Sequence, residues 1–289
     1  MHFTGVYTAL VTQFSAGGEV DWTKLDELVE LQIAGGVDGI VPVGTTGESP
    51  TLSTPEHMKV IEAVVAKAAG RCRIMAGSGA NSTAEAVELT QAAKSFGVDG
   101  TLQVTPYYNK PSPAGLIKHF AAVADLGVPV VLYNVPGRAG RDIPLSVVAE
   151  LAQHENIVSV KEAAGSVDRV SAIKSLCDIE VLSGDDALAL PMISVGACGV
   201  ISVASNLIPA QMVALIQAAL GGDYAKAREL HLKYHRLFRD LFVETNPVPV
   251  KAAMAMKGMV EEIYRLPLCE MEAGNREILR ASLQQAGVL

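Results

Sequence analysis

Short, mostly apolar runs alternate along this chain with longer amphipathic stretches. The runs occupy 6–12, 39–44, 73–79, 100–106, 129–135, 157–163, 180–186 and 199–205. Runs that are apolar on both sides, not alternately, suit parallel strands covered by helices on the outside and packed within. Between them, 22–34 places Leu25, Leu28, Val29 and Gln32 at helical spacing. The segment 54–69 does the same with Met58, Ile61, Val64 and Val65, and 82–96 repeats the pattern. Thr54 reads as an N-cap with Pro55 at the first helical position. Ser82-Thr83-Ala84-Glu85 reads as a capping box. Gly35-Gly36, Gly70, Gly97, Gly127 and Gly196 stand where helices must end before the next strand, a place that favours the left-handed conformation.

Eight such units in about 220 residues predict an α/β fold, a (β/α)8 TIM barrel. A doubly wound open sheet is the rival, but it usually carries a glycine-rich nucleotide turn after its first strand. Here the first run is followed by a hairpin-like turn, Gln13-Phe14-Ser15-Ala16-Gly17-Gly18, without that pattern. After residue 222 the strand signals stop, and 223–243, 248–260 and 273–286 read as helices. The expected organisation is a catalytic barrel over 1–222 and a C-terminal helical extension over 223–289.

Composition narrows the class. Hydrophobic residues make up 49% and charged residues 19% of the 289, which places the chain among globular proteins. A net charge of −8 argues against a nucleic-acid binder. No apolar run reaches the roughly 18–20 residues of a membrane span. The start, Met1-His2-Phe3-Thr4-Gly5, lacks the basic and apolar regions of a secretory signal, so a cytoplasmic location is expected. Cys72, Cys177, Cys198 and Cys269 lie far apart, without zinc-ligand spacing, and read as small core residues. No metal site is expected.

In a barrel of this type the chemistry sits at the carboxyl ends of the strands. The residues there are Gly44-Thr45-Thr46-Gly47-Glu48-Ser49, Gly77-Ser78-Gly79-Ala80-Asn81, Thr105-Pro106-Tyr107-Tyr108-Asn109-Lys110-Pro111, Tyr133-Asn134-Val135-Pro136-Gly137-Arg138, Lys161-Glu162-Ala163 and Ser183-Gly184-Asp185-Asp186. Period-two alternation puts Ile157, Ser159 and Lys161 on one face. Burial of a lysine disfavours its ammonium, and a neutral amine attacks a carbonyl to form a Schiff base. The plain alternative is a lysine that reaches solvent or pairs with Glu162. Alternation also puts Val131, Tyr133 and Val135 on one face of the neighbouring strand, so Tyr133 and Lys161 can meet at the barrel mouth. A phenol there serves as general acid and base if hydroxyls such as Thr45 and Tyr108 relay its proton. Thr45-Thr46-Gly47 offers hydroxyls and N–H groups to a small carboxylate, and Arg138 offers a bidentate fork at the rim.

On these segments the sequence resembles the dihydrodipicolinate synthase family, within the wider pyruvate-lyase group that includes N-acetylneuraminate lyases. GTTGES, VTPYYNKP, LYNVPGR, VKEA and SGDD occur in the family's order, and the resemblance spans the whole chain, tail included. It implies that Lys161 forms the imine with pyruvate in a condensation with L-aspartate 4-semialdehyde, on the route to diaminopimelate and lysine. It implies a proton relay of Tyr133, Thr45 and Tyr108, with Tyr108 donated across a subunit interface. Thr46 is implied as the pyruvate carboxylate ligand and Arg138 as the ligand of the second substrate's carboxylate. Gly184 and Ile201 match positions lining the pocket. No organic cofactor or metal is implied, since the lysine is the electron sink. The resemblance further implies a homotetramer, a dimer of dimers. Ser49, His57, Asn81, Glu85 and Tyr107 match a site where some members bind L-lysine as a feedback inhibitor. Pro50 and Thr54 depart from the commonest form of that site, and Gln13 stands where the family usually has proline.

Three alternatives differ in testable ways. Sugar-acid lyases share the lysine and tyrosine, but they usually carry serine in place of Thr45 and lack an arginine placed like Arg138. A phosphate- or pyridoxal-phosphate-binding barrel would show paired glycines after the last strands, where Ser202-Val203-Ala204-Ser205-Asn206 has none. A non-catalytic sensor on the same barrel would form no imine with pyruvate.

Overall fold

A computed structural model describes residues 2–289. Eight parallel strands, β1 (Gly5–Ala9), β2 (Gly39–Val41), β3 (Arg73–Gly77), β4 (Gly100–Val104), β5 (Val130–Asn134), β6 (Ile157–Glu162), β7 (Glu180–Ser183) and β8 (Gly199–Ser202), close into a barrel in sequence order. The circuit is completed by β1 against β8, with Gly5 opposite Gly199. The hairpin predicted after β1 is present as an antiparallel bridge between Phe14 and Val20.

The helices on the outside are α1 (Trp22–Ala34), α2 (Thr54–Ala68), α3 (Thr83–Ser95), α4 (Pro113–Ala124), α5 (Pro136–Ala139), α6 (Leu145–Leu151), α7 (Val167–Leu176), α8 (Ala189–Ser194) and α9 (Pro209–Leu220). The tail adds α10 (Tyr224–Asp240), α11 (Val248–Met256) and α12 (Ala273–Ala286). Both α10 and α11 end sooner than the periodicity suggested. Gly258, at φ 73°, lies just past the end of α11 in the left-handed conformation. Two capping expectations are corrected. Ser53, not Thr54, caps α2: its side chain accepts from the Glu56 N–H while Glu56 reaches back, a complete capping box. Ser82 precedes α3 but makes no side-chain cap bond, and Glu85 turns into a cavity instead.

Side chains sort into two packed layers. Inside the barrel, Phe3, Tyr7, Val41, Met75, Leu102, Val131, Tyr133, Leu182 and Ile201 form one cluster. The larger cluster lies between strands and helices, and it runs without a break into Leu237, Phe238, Val250, Met254, Leu279 and Leu283 of the tail. The tail therefore shares the barrel's core. Among the described residues no helix is long and apolar enough to cross a membrane.

Two buried imidazoles give the fold a pH dependence. His119 on α4 is 4% exposed, with Nδ1 against the Thr83 hydroxyl at 2.9 Å, and burial lowers its pKa to about 4. Burial also lowers that of His57. In the unfolded chain an imidazole takes up its proton near pH ~6.5. At these two imidazoles the unfolded state binds more protons than the folded one below there, for His119 down to about 4, so their contribution to stability falls as pH falls through that window. Asp186, whose carboxyl burial raises to about 6, contributes with the opposite sign. Urea midpoints measured from pH 7 down to 4.5 should therefore lose less, or gain more, in His119→Leu than in the parent. An unchanged slope in that variant would show that other groups set the dependence.

Candidate active site

β5 and β6 bring the two predicted reactive side chains together. Tyr133 and Lys161 are register partners, each 7% exposed, and Lys161 Nζ stands 4.1 Å from the centre of the Tyr133 ring. The predicted face of β5 is present: Val131, Tyr133 and Val135 all join the inner cluster. The predicted face of β6 needs one correction. Ser159 and Lys161 pair with Val131 and Tyr133, but Ile157 pairs with Val130 and packs in the outer cluster. The register shifts between Val130 and Val131, so β6 takes in an extra residue at Val158, and strict alternation fails there.

Glu162 does not pair with Lys161. Its carboxylate is fully buried on the opposite side, where it accepts from Asn134 Nδ2 at 3.0 Å, the Ala164 N–H at 2.8 Å and Arg169 Nε at 2.7 Å. The lysine amine thus faces an aromatic ring and not an anion. Gly184 keeps room beside it, since a Cβ there would lie 3.1 Å from Lys161 Cε and 2.6 Å from Ala163 Cβ. Ile201, 1% exposed, belongs to the inner cluster with Tyr133.

The turn after β2 is held tightly. Val43 has φ 54°, a conformation costly for a β-branched residue. Gly77 on β3 approaches it so closely that a Cβ there would meet the Val43 oxygen at 2.4 Å. The N–H groups of Gly47 and Glu48 donate to the Gly44 and Thr45 carbonyls, and the Thr12 hydroxyl donates to the Gly47 carbonyl at 2.7 Å. Glu48 points inward to Lys251 of α11 at 2.6 Å, both side chains being fully buried. Burial pushes the Lys251 ammonium down from its ordinary range, opposed by the Glu48 carboxylate. Lys251 Nζ also donates to the Thr12 carbonyl at 3.2 Å and lies 4.6 Å from the centre of the Phe14 ring. Gln13, the departure from the family pattern, is buried and donates to the Glu261 carbonyl at 2.7 Å, a further tie to the tail.

Thr46 is buried, and its hydroxyl accepts from Asn246 Nδ2 at 2.9 Å. The carbonyl of that same asparagine accepts from Arg138 Nη2 at 3.0 Å. Asn246, Lys251 and the inward turn of Glu48 were not foreseen from sequence. Polar residues in the tail carry no local signal that they return to the barrel mouth.

A cavity of about 410 Å³ opens beside this turn. Thr45, Ser49, His57, Glu85, Tyr107 and Arg138 are among its lining residues. A smaller recess shares Thr45, Ser49, Gly79 and Val104 with it and reaches Tyr133. Of the residues matched to a lysine site, Ser49, His57, Glu85 and Tyr107 line the cavity, while Asn81 lies outside its lining and donates to the Tyr107 carbonyl at 3.2 Å. His57, 7% exposed, is no surface residue: its Nε2 contacts the Gly77 carbonyl at 2.7 Å. Tyr108 is not brought to Thr45 and Tyr133 within the chain. It sits at φ 71° and is 91% exposed, outside both cavities.

Comparison with known proteins gives consistent results over the full length. A model of the "Dihydrodipicolinate synthetase family" matches residues 2–286. A 4-hydroxy-tetrahydrodipicolinate synthase from Endomicrobium trichonymphae is 50% identical, covering 99% of each chain. The structure of the 4-hydroxy-tetrahydrodipicolinate synthase from Methylacidiphilum fumariolicum superimposes with a TM-score of 0.97 at 49% identity, over 99% of this chain and 96% of that one. A DHDPS from Cyanidioschyzon merolae, with lysine bound, superimposes with a TM-score of 0.96 at 41% identity, over 99% of each chain.

Proposed function

The chain belongs to the dihydrodipicolinate synthetase family, and from that premise we propose that it condenses pyruvate with L-aspartate 4-semialdehyde, the reaction of 4-hydroxy-tetrahydrodipicolinate synthases, through an imine on Lys161. The observation that carries the assignment is the pairing of Lys161 with Tyr133 on β6 and β5, with the neighbouring carboxylate turned away. The amine attacks the keto carbon of pyruvate, and water leaves as the imine forms. Loss of a methyl proton gives the enamine, which attacks the aldehyde carbon and forms the new C–C bond. The second substrate's own amino group then displaces Lys161 as the ring closes.

Tyr133 shuttles the protons, passing them through Thr45 to Tyr108 of the partner subunit. Thr46 binds the pyruvate carboxylate and Arg138 that of the semialdehyde, while Gly184 and Ile201 line the pocket. The exposed aromatic pair Tyr107 and Tyr108 fits an interface between copies, in keeping with a homotetramer built as a dimer of dimers. Residues 1–222 act as the catalytic barrel, and 223–289 form the helical extension that returns Asn246 and Lys251 to its mouth. The enzyme works in the cytoplasm. The test is incubation with pyruvate and the semialdehyde, followed by mass spectrometry for the cyclic product. Turnover of a polyhydroxyl aldehyde in its place would assign the chain to the sugar-acid lyases.

The same enzyme is inhibited by L-lysine bound at Ser49, His57, Asn81, Glu85 and Tyr107. A neutral His57 that donates from Nε2 to the Gly77 carbonyl keeps Nδ1 as an acceptor for an ammonium, and Glu85 supplies the opposite charge. Millimolar lysine should lower the rate, and Glu85→Gln should weaken that inhibition. Unchanged rates of the parent enzyme across the titration would overturn the assignment.

A further inference from the structure

We propose that Asn246 is a positioning residue that fixes the Thr46 hydroxyl as a hydrogen-bond donor toward the carboxylate of the first substrate. This rests on the assignment of Thr46 as the pyruvate-carboxylate ligand. A hydroxyl has one proton to give and lone pairs to receive, whereas a carboxylate only accepts. The direction of the Thr46 hydroxyl therefore decides whether it helps or opposes an anion. Asn246 Nδ2 donates to Thr46 Oγ1 at 2.9 Å, which occupies a lone pair and leaves the proton for the ligand. The asparagine is held for this task, being only 5% exposed and lying in the short segment between α10 and α11. Its Oδ1 has no partner among the described residues, so the bond to Thr46 is what the amide is turned toward.

Side chain and backbone of Asn246 act on different anions. The amide bears on Thr46, while the carbonyl accepts from Arg138 Nη2, a contact that any residue at this position would keep. Substituting the side chain should thus affect pyruvate and spare the semialdehyde. This separation distinguishes positioning from a merely structural role, which would move both constants together.

The experiment is steady-state kinetics with each substrate varied in turn, on Asn246→Ala, Asn246→Asp, Thr46→Val and the Asn246→Ala/Thr46→Val pair. Asn246→Ala should raise the KM for pyruvate about tenfold, the scale of one hydrogen bond to a charged group, and leave that for the semialdehyde within about twofold. Asn246→Asp, close to isosteric, should be worse, because a carboxylate takes the Thr46 proton and repels the substrate. Its KM for pyruvate should improve as pH falls and the introduced carboxyl regains a proton to donate. In the Thr46→Val background, Asn246→Ala should add nothing. An unchanged pyruvate KM in Asn246→Ala alongside a raised one in Thr46→Val would overturn the proposal alone. An unchanged pyruvate KM in Thr46→Val would remove the premise and the proposal with it. Parallel increases in both constants would overturn it in favour of a structural role.

Discussion

Lys161→Ala should lower kcat by about a thousandfold or more while leaving the fold intact. The size follows from chemistry. Without the amine there is no imine, and without the imine the methyl proton of pyruvate has no electron sink. Lys161→Arg should lose nearly as much, because a guanidinium keeps its proton and cannot act as a nucleophile. That comparison separates a covalent role from a merely electrostatic one. The fold should tolerate both changes: Lys161 has no ion pair with Glu162, whose partners are Asn134, Ala164 and Arg169. Thermal unfolding should move by only a few degrees. An arginine variant with substantial activity would mean that the lysine supplies charge and not a bond.

Lys251→Met should be the most damaging single change outside the reacting groups. It leaves the Glu48 carboxylate fully buried and stripped of its 2.6 Å partner. Breaking a buried pair on one side costs about 3–5 kcal/mol, because the remaining charge is left out of water with only the Arg265 N–H among the described residues, at 3.4 Å, to meet it. For a chain of this size that corresponds to a fall in unfolding temperature of roughly 5–8 °C. Glu48→Leu combined with Lys251→Met should recover much of the loss, since neither charge then remains. Activity should also suffer in the single variant, because Glu48 belongs to the turn that carries Thr45 and Thr46. Equal unfolding temperatures for the parent and Lys251→Met would show that water reaches the pair and screens it.

The barrel was legible because each parallel strand must be apolar on both sides, which leaves eight short runs that few other folds produce. The candidate site was legible for a related reason: in this fold the loops after the strands converge on one end of the barrel, so Lys161, Tyr133, Thr45 and Thr46 stand out in line with it. Local periodicity failed where one residue shifts the count, as at Val158, which turned Ile157 outward. It failed too where adjacent hydroxyls compete, so that Ser53 and not Thr54 caps α2. Partners brought together by the closed topology left no trace in sequence spacing. Asn246 meets Thr46, and Lys251 meets Glu48, across some 200 positions. Tyr108, exposed at φ 71°, stands apart from Thr45 and Tyr133 within the chain, a separation that strand-end placement alone did not reveal.

A covalent bond between Lys161 and pyruvate can be trapped by borohydride reduction in the presence of pyruvate. Peptide mass spectrometry should then find the reduced adduct on the peptide carrying Lys161 and on no other lysine, with the Lys161→Ala variant unlabelled. Full activity without any trapped adduct, or an adduct on a different lysine, would contradict the account.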